Sequence, residues 1–185
     1  MPRRLDLTPP DAQAIQASLA KLRTSFGVSV DFPHEVVAEA EEAARAAPLP
    51  DVDETAVPFV TIDPPASMDL DQAVHLERRD GGYRVRYAIA DVAAFVAPGG
   101  ALDAEAHARG QTFYAPDADA RLYPKAVSEG AASLLPGEVR PALLWTMDLD
   151  EASEGVAVDV RRARIRSRSK LDYCLFYTSD AADEL

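Results

Sequence analysis

Three aspartates that lie close together in the sequence carry its strongest chemical signal. They are Asp63, Asp69 and Asp71, in the segment TIDPPASMDLDQA of residues 61–73. Residues i and i+2 of an extended segment point to the same side, so Asp69 and Asp71 can share one face and a loop can bring Asp63 beside them. Clustered carboxylates repel one another and need a cation, and oxygen ligands favour Mg²⁺ or Mn²⁺, ions that hold phosphates during hydrolysis. The alternative is that these are turn and cap aspartates, which are common beside prolines.

The elements that must position these aspartates follow from the spacing of apolar, glycine and proline residues. Helices are predicted over residues 10–25, 34–47 and 101–110. Strands are predicted over residues 57–62, 72–78, 83–90, 141–149 and 156–168, the second and third joined as a hairpin by Asp80-Gly81-Gly82. Residues 115–140 are predicted to be mostly loop. The pattern indicates an α+β fold, with a mainly antiparallel sheet preceded by two N-terminal helices.

Composition limits the partners and the compartment. The net charge of −12 argues against a nucleic-acid partner, but residues 161–170 (RRARIRSRSK) hold six of the 19 basic residues and no acid. This basic strip could bind a polyanion, or it could be a solvated edge strand protected by arginines. No apolar stretch is long enough to cross a membrane, and no secretory signal follows the first residues. With Cys174 as its single cysteine the chain cannot form an internal disulfide, which favours the cytoplasm.

Several motifs, in order, resemble the catalytic domain of the ribonuclease II (RNB) family. The run PFVTIDPPASMDLD at residues 58–71 is similar to the opening of that domain, and the similarity continues through residues 87–110, 114–141 and 163–173. We therefore expect a helical N-terminal region and linker at residues 1–56 and the N-terminal part of an RNB domain at residues 57–173. Residues 174–185 (CLFYTSDAADEL) resemble the translated read-through of a sequencing adapter, so we expect an artefactual tail on a truncated gene fragment.

The resemblance implies a metal-dependent exoribonuclease that degrades single-stranded RNA from its 3′ end and releases nucleoside monophosphates. It assigns Asp63, Asp69 and Asp71 to a catalytic site for Mg²⁺ or Mn²⁺. Gln72 stands where the family commonly has a fourth acid, and it can offer a carbonyl oxygen but no charge. Tyr114 lies where the family stacks an aromatic ring on a base, although it could be a core or rim tyrosine.

The basic strip would then contact the RNA backbone through cations that alternate along one strand face: Arg162, Arg164, Arg166, Arg168 and Lys170. Two other hypotheses remain open: an RNA-binding module without catalysis, suggested by Gln72, and an inert fragment. A partial domain is expected to have open sheet edges and an exposed apolar face. The sequence indicates no protein partner and leaves the oligomeric state open.

Overall fold

A closed five-stranded barrel forms the centre of the computed structural model, which describes residues 9–174. The strands follow one another around the barrel in chain order: β1 (Phe59–Ile62), β2 (Gln72–Arg79), β3 (Gly82–Ala90), β4 (Val139–Asp150) and β5 (Gly155–Leu171). Neighbours from β1 to β5 are antiparallel, and β1 closes the barrel by pairing in parallel with the end of β5. The predicted strands are confirmed within a few residues.

The expected sheet was mainly antiparallel, with open edges, and this was wrong at the closure. The short strand β1 lies between β2 and β5, pairing Val60 with Val74 on one side and Phe59 with Ser167 on the other. The periodicity of β1 shows only that it is buried, not which strands it joins. At the far ends of the hairpins the outer face remains apolar and exposed, as expected, through Trp145 and the valines of β5.

Small side chains fill the barrel where the strands approach one another. Ala88 pairs with Leu144, and Ala142 lies between Ala90 and Ala163. All of these residues are buried around Phe59. Alternation of small and large residues is typical of a narrow barrel interior. The β2–β3 turn is also tight: Gly82 has a φ of 151°, and a side-chain carbon there would lie 2.0 Å from the Leu149 carbonyl oxygen.

Within residues 9–174, three α-helices lie outside the barrel, and two of them pack against each other in an apolar cluster separate from the barrel core. They are α1 (Pro9–Ser25), α2 (His34–Ala46) and α3 (Ala101–Arg109). Glu39 of α2 accepts a hydrogen bond of 2.7 Å from the Ala101 backbone N–H at the start of α3, a donor that has no partner within the helix. Gly100 leaves room for this carboxylate, since a side-chain carbon there would lie 2.3 Å from Glu39 Oε1.

The stretch predicted to be loop contains a π-helical turn (Ala126–Ala131), which packs on α2 through the buried Val127. A single π-type turn has no distinctive apolar period, which explains why the prediction missed it. None of the helices in residues 9–174 is long and apolar enough to cross a membrane. The expected artefactual tail lies outside the described residues, apart from Cys174.

Candidate metal site at the aspartate cleft

The segment from Asp63 to Asp71 connects β1 to β2 and is held at both ends by backbone hydrogen bonds. The Asp63 N–H donates to the Leu171 carbonyl at the end of β5 (2.9 Å), and the Asp71 carbonyl accepts from the Ala90 N–H (2.8 Å). Between Asp69 and Asp71, Leu70 is 0% exposed and lies in the barrel core. Asp69 and Asp71, on either side of this buried residue, both line one cleft, so they share one face as predicted.

The side chain of Ser133 holds this segment in place, and the sequence prediction missed this residue. Its hydroxyl accepts a hydrogen bond from the Leu70 N–H (3.0 Å) and donates one to the Met68 carbonyl (2.6 Å). The serine is buried, with its backbone flanked by Leu134, whose N–H donates to the Leu70 carbonyl. Ser133 is separated from Leu70 by 63 residues. No local pattern links residues that far apart, so only the fold identifies the contact.

The three aspartates lie within electrostatic reach of one another. Burial raises the pKa of Asp63, the charge of Asp69 raises it further, and Lys170 opposes the shift. Burial also raises the pKa of Asp71, and the charges of Asp69 and Asp63 add to that effect. Uncompensated carboxylates that are partly buried together destabilise their own ionised form. A cation in their midst would relieve this repulsion.

The carboxylate and amide oxygens of these residues suit a hard cation. Their side chains, however, are not close enough together to coordinate one ion in this structure. Within residues 9–174, no three His, Cys, Asp or Glu side chains are grouped closely enough to hold one ion. Asp69, Asp71 and Gln72 line a common cleft of about 370 Å³, whereas Asp63 is not part of its lining. The predicted ligand set of Asp63, Asp69, Asp71 and Gln72 therefore stays a prediction.

Tyr114 lines the same cleft and is 73% exposed, so it is not a core residue. Burial of the hydroxyl end raises its pKa, and the charges of Asp69, Asp71 and Asp119 raise it further, whereas Arg121 lowers it. The ring is thus available to a ligand while its hydroxyl lies near the carboxylates. An exposed ring in this position could stack on a nucleobase.

Arg121 is a second residue that the sequence prediction missed. It lines the aspartate cleft, and its Nη1 lies 3.9 Å from Asp69 Oδ2. Its Nη2 lies 2.5 Å from Glu129 Oε1, on the π-helical turn, and 3.8 Å from Asp119. A single arginine in an irregular loop gives no signal of its own. The fold alone brings it to the carboxylates.

The basic strip alternates as predicted, but most of its cations already have partners. Ala163, Ile165 and Ser167 are buried, so the intervening side chains of β5 face outward. Arg162 Nε lies 3.0 Å from the buried Asp91 carboxylate. Arg164 donates hydrogen bonds to the Asp53 carboxylate and to the Pro50 carbonyl.

Lys170 is also committed, because its ammonium donates hydrogen bonds to the Pro65 and Ser67 carbonyls in the loop between Asp63 and Asp69. This contact holds the loop of the aspartate segment. Among the described residues, Arg166 and Arg168 form no salt bridge. They line a separate groove with residues 55–58. The strip therefore offers two uncommitted cations rather than five.

Comparison with known proteins gives consistent matches. A model of the RNB domain family matches residues 52–178. The chain is 33% identical over 153 residues to ribonuclease R of Acidithiobacillus ferrooxidans, covering 80% of this chain and 35% of that protein. It is 36% identical over 146 residues to exoribonuclease 2 of Aeromonas hydrophila, covering 77% of this chain and 20% of that protein. The chain thus spans only a minor part of the length of these relatives.

Solved structures show the same fold. Mycoplasma genitalium RNase R in complex with double-stranded RNA matches with a TM-score of 0.79 and 22% identity, over 91% of this chain and 30% of that one. Yeast Ssd1, described as a pseudonuclease, matches with a TM-score of 0.62 and 19% identity, over 72% of this chain and 18% of that one. At these identities the structural matches show the fold alone.

Proposed function

Because the chain belongs to the RNB domain family, we propose that it supplies the aspartate half of an exoribonuclease active site. The proposed reaction is the metal-dependent hydrolysis of single-stranded RNA from its 3′ end to nucleoside monophosphates. The family relationship supports an RNA-degrading nuclease. The direction of degradation and the metal requirement belong to the proposal, as does a cytoplasmic location, which the single cysteine favours.

One observation carries the proposal: Asp71, whose pKa is raised by burial and by the charges of Asp69 and Asp63, lines one cleft together with Asp69 and the exposed ring of Tyr114. The carboxylates form a centre for cations, and the ring offers a surface for a base of any identity. A nuclease that removes any nucleotide needs both properties. It must hydrolyse a phosphodiester bond while it binds the adjacent base without regard to its identity.

Each residue of the cleft then has a defined task. Asp69 and Asp71 would hold the ion, with the Gln72 carbonyl beside them and Asp63 adding negative charge from the end of β1. When bound, Mg²⁺ or Mn²⁺ would neutralise the scissile phosphate and activate a water molecule. Tyr114 would stack on a base near the 3′ end of the RNA. Ser133 positions the aspartates by holding Met68 and Leu70.

Gln72 motivates a second candidate function, an RNA-binding module without catalysis. It lines the cleft next to Asp71 and supplies no charge where the family commonly has a fourth acid. Fewer negative ligands weaken the hold on divalent ions. A third possibility is that the chain is inert by itself, since the region it shares with these two relatives makes up only 35% and 20% of their lengths.

The decisive experiment measures two quantities on the 185-residue chain: Mn²⁺ binding by calorimetry and mononucleotide release from uniformly labelled single-stranded RNA. Asp71→Asn should abolish Mn²⁺ binding and any release that a chelator also abolishes. Asp80→Asn is the matched control, because it removes the same charge at the distant β2–β3 turn. Release that persists in chelator would refute the metal mechanism.

One further variant and one extended chain separate the candidate functions. RNA binding without release, followed by release in Gln72→Asp, would favour the module without catalysis. In another outcome, the unmodified chain and Gln72→Asp both bind RNA without releasing nucleotides. If joining the chain to the rest of an RNB domain then restores release, the result would favour a chain that is inactive by itself. A chain that binds neither RNA nor Mn²⁺ would overturn the proposed function altogether.

A further inference from the structure

Arg121 is the cation nearest to the aspartates on the cleft wall. Its Nη1 lies 3.9 Å from Asp69 Oδ2, which exceeds the distance of a hydrogen bond. The guanidinium is therefore attracted to Asp69 without being committed to it. Arg121 and Tyr114 both line the cleft, and the positive charge of Arg121 lowers the pKa of Tyr114. The cation thus lies near both the carboxylates and the exposed ring.

Glu129 holds the opposite edge of the guanidinium. The Arg121 Nη2 lies 2.5 Å from Glu129 Oε1, and the arginine side chain is 21% exposed. Glu129 projects from the π-helical turn, whose Val127 is buried against α2. The buried Val127 anchors the turn, which thereby places Glu129 against the guanidinium. Irregular turns of this kind are frequent at functional sites.

We infer that Arg121 binds a phosphate of the RNA strand next to the aspartates, with Glu129 as its anchor. This inference rests on the proposed function and adds a specific contact to it. A guanidinium has five N–H donors in a planar fork, and Glu129 occupies only one edge of it. Arg121 lines the cleft, and its Nη1, which lies toward Asp69, can donate a charge-assisted hydrogen bond to a phosphate there.

The charge arrangement distinguishes this role from that of a simple counter-ion. A counter-ion of Asp69 would form a direct hydrogen-bonded pair with it, as Arg84 does with Asp148 at 2.6 and 2.8 Å. Arg121 instead makes its close contact with Glu129, and it lies beyond hydrogen-bond distance of Asp69. A cation on the aspartates and the guanidinium would then both attract the same polyanion.

Lys125 provides a matched control on the same anchor. Its Nζ lies 3.5 Å from Glu129 Oε2, but its side chain is 70% exposed and does not line the cleft. Loss of Lys125 therefore removes one positive charge near Glu129 and leaves the cleft intact.

The test measures binding of a short 5′-fluorescein-labelled oligoadenylate to the chain by fluorescence anisotropy, in chelator and over a range of salt concentrations. Arg121→Ala should weaken binding about tenfold, as expected for a charge-assisted hydrogen bond. It should also reduce the slope of log affinity against log salt by about 0.7, the value for one phosphate contact on a single strand. Arg121→Lys should keep the slope and lose part of the affinity, because lysine lacks the fork. Lys125→Ala should change neither quantity.

The outcomes separate this inference from the function on which it rests. If the unmodified chain does not bind RNA, both the proposed function and the inference fail. If it binds RNA and Arg121→Ala binds equally with the same salt slope, only the inference fails. Tighter Mn²⁺ binding by Arg121→Ala with unchanged RNA affinity would also overturn it, because that result identifies Arg121 as a counter-ion of Asp69. Thermal denaturation of each variant shows that altered binding does not come from unfolding.

Discussion

The ion pair between Arg162 and Asp91 provides a test of which strip residues stabilise the fold and which remain free for RNA. Asp91 follows β3 directly, and its side chain is 2% exposed, whereas that of Arg162 is 58% exposed. The Arg162→Ala substitution removes the cation that pairs with the buried Asp91 carboxylate. We expect this substitution to destabilise the fold without affecting RNA binding.

The size of the effect follows from the distance and the burial. At 3.0 Å the attraction is roughly 5–6 kcal/mol for an effective dielectric constant of about 20. The cost of desolvating Asp91 offsets much of this, and water that enters the space left by the half-exposed arginine would rehydrate the carboxylate. Breaking a fully buried pair costs about 3–5 kcal/mol, so we expect about 2 kcal/mol here. That corresponds to a decrease of roughly 4–8 °C in Tm for a chain of this size.

Urea denaturation of the chain, with RNA-binding anisotropy on the same samples, measures both effects. The matched control is Arg166→Ala, on the same strand face, whose arginine forms no salt bridge among the described residues. We expect this control to change the free energy of unfolding by less than about 0.5 kcal/mol but to weaken RNA binding. The double variant Asp91→Asn with Arg162→Ala should recover part of the lost stability, because the unpaired charge is removed.

Either of two results would contradict the expected role of Arg162. The first is a loss of less than about 0.5 kcal/mol in Arg162→Ala, which would show that the pair contributes nothing measurable. The second is a greater loss of RNA affinity in Arg162→Ala than in Arg166→Ala, which would show that Arg162 serves the RNA despite its contact with Asp91.

Three further predictions concern the cleft and the acid stability of the fold. Asp71→Asn should raise the Tm of the metal-free chain in scanning fluorimetry, because it removes one of the repelling carboxylates. The same substitution should abolish the rise in Tm on adding Mn²⁺. A lower Tm of the metal-free variant would contradict this prediction. Ser133→Ala removes both hydrogen bonds to the aspartate segment and should cost about 1–3 kcal/mol in urea denaturation, so an unchanged midpoint would show that the segment is held elsewhere. The hydrogen bond from Arg84 lowers the pKa of Asp148, so its stabilising contribution is complete above the ordinary carboxyl pKa of about 4 and is lost as the pH falls through the lowered value. Asp148→Asn should therefore reduce the dependence of stability on pH below about 4, and an unchanged acid limb in a pH series of unfolding curves would refute the assignment.

The sequence by itself determined the local elements and the shared face of the aspartates. The helices, the β2–β3 hairpin and the β4–β5 strands followed from apolar spacing and from turn residues, because such patterns reflect contacts over a few residues. The placement of Asp69 and Asp71 on one side of Leu70 followed from the alternation of an extended segment. The alternation of β5 was predicted in the same way.

Only the tertiary structure decided how the barrel closes and which side chains are available. The parallel pairing of β1 with β5, the clamp by Ser133 and the approach of Arg121 to Asp69 join residues that are distant in the chain. Local periodicity carries no information about such pairs. The same holds for the basic strip: its pattern showed where the cations point, but long-range contacts determined that Arg162, Arg164 and Lys170 serve the fold while Arg166 and Arg168 remain free of salt bridges among the described residues.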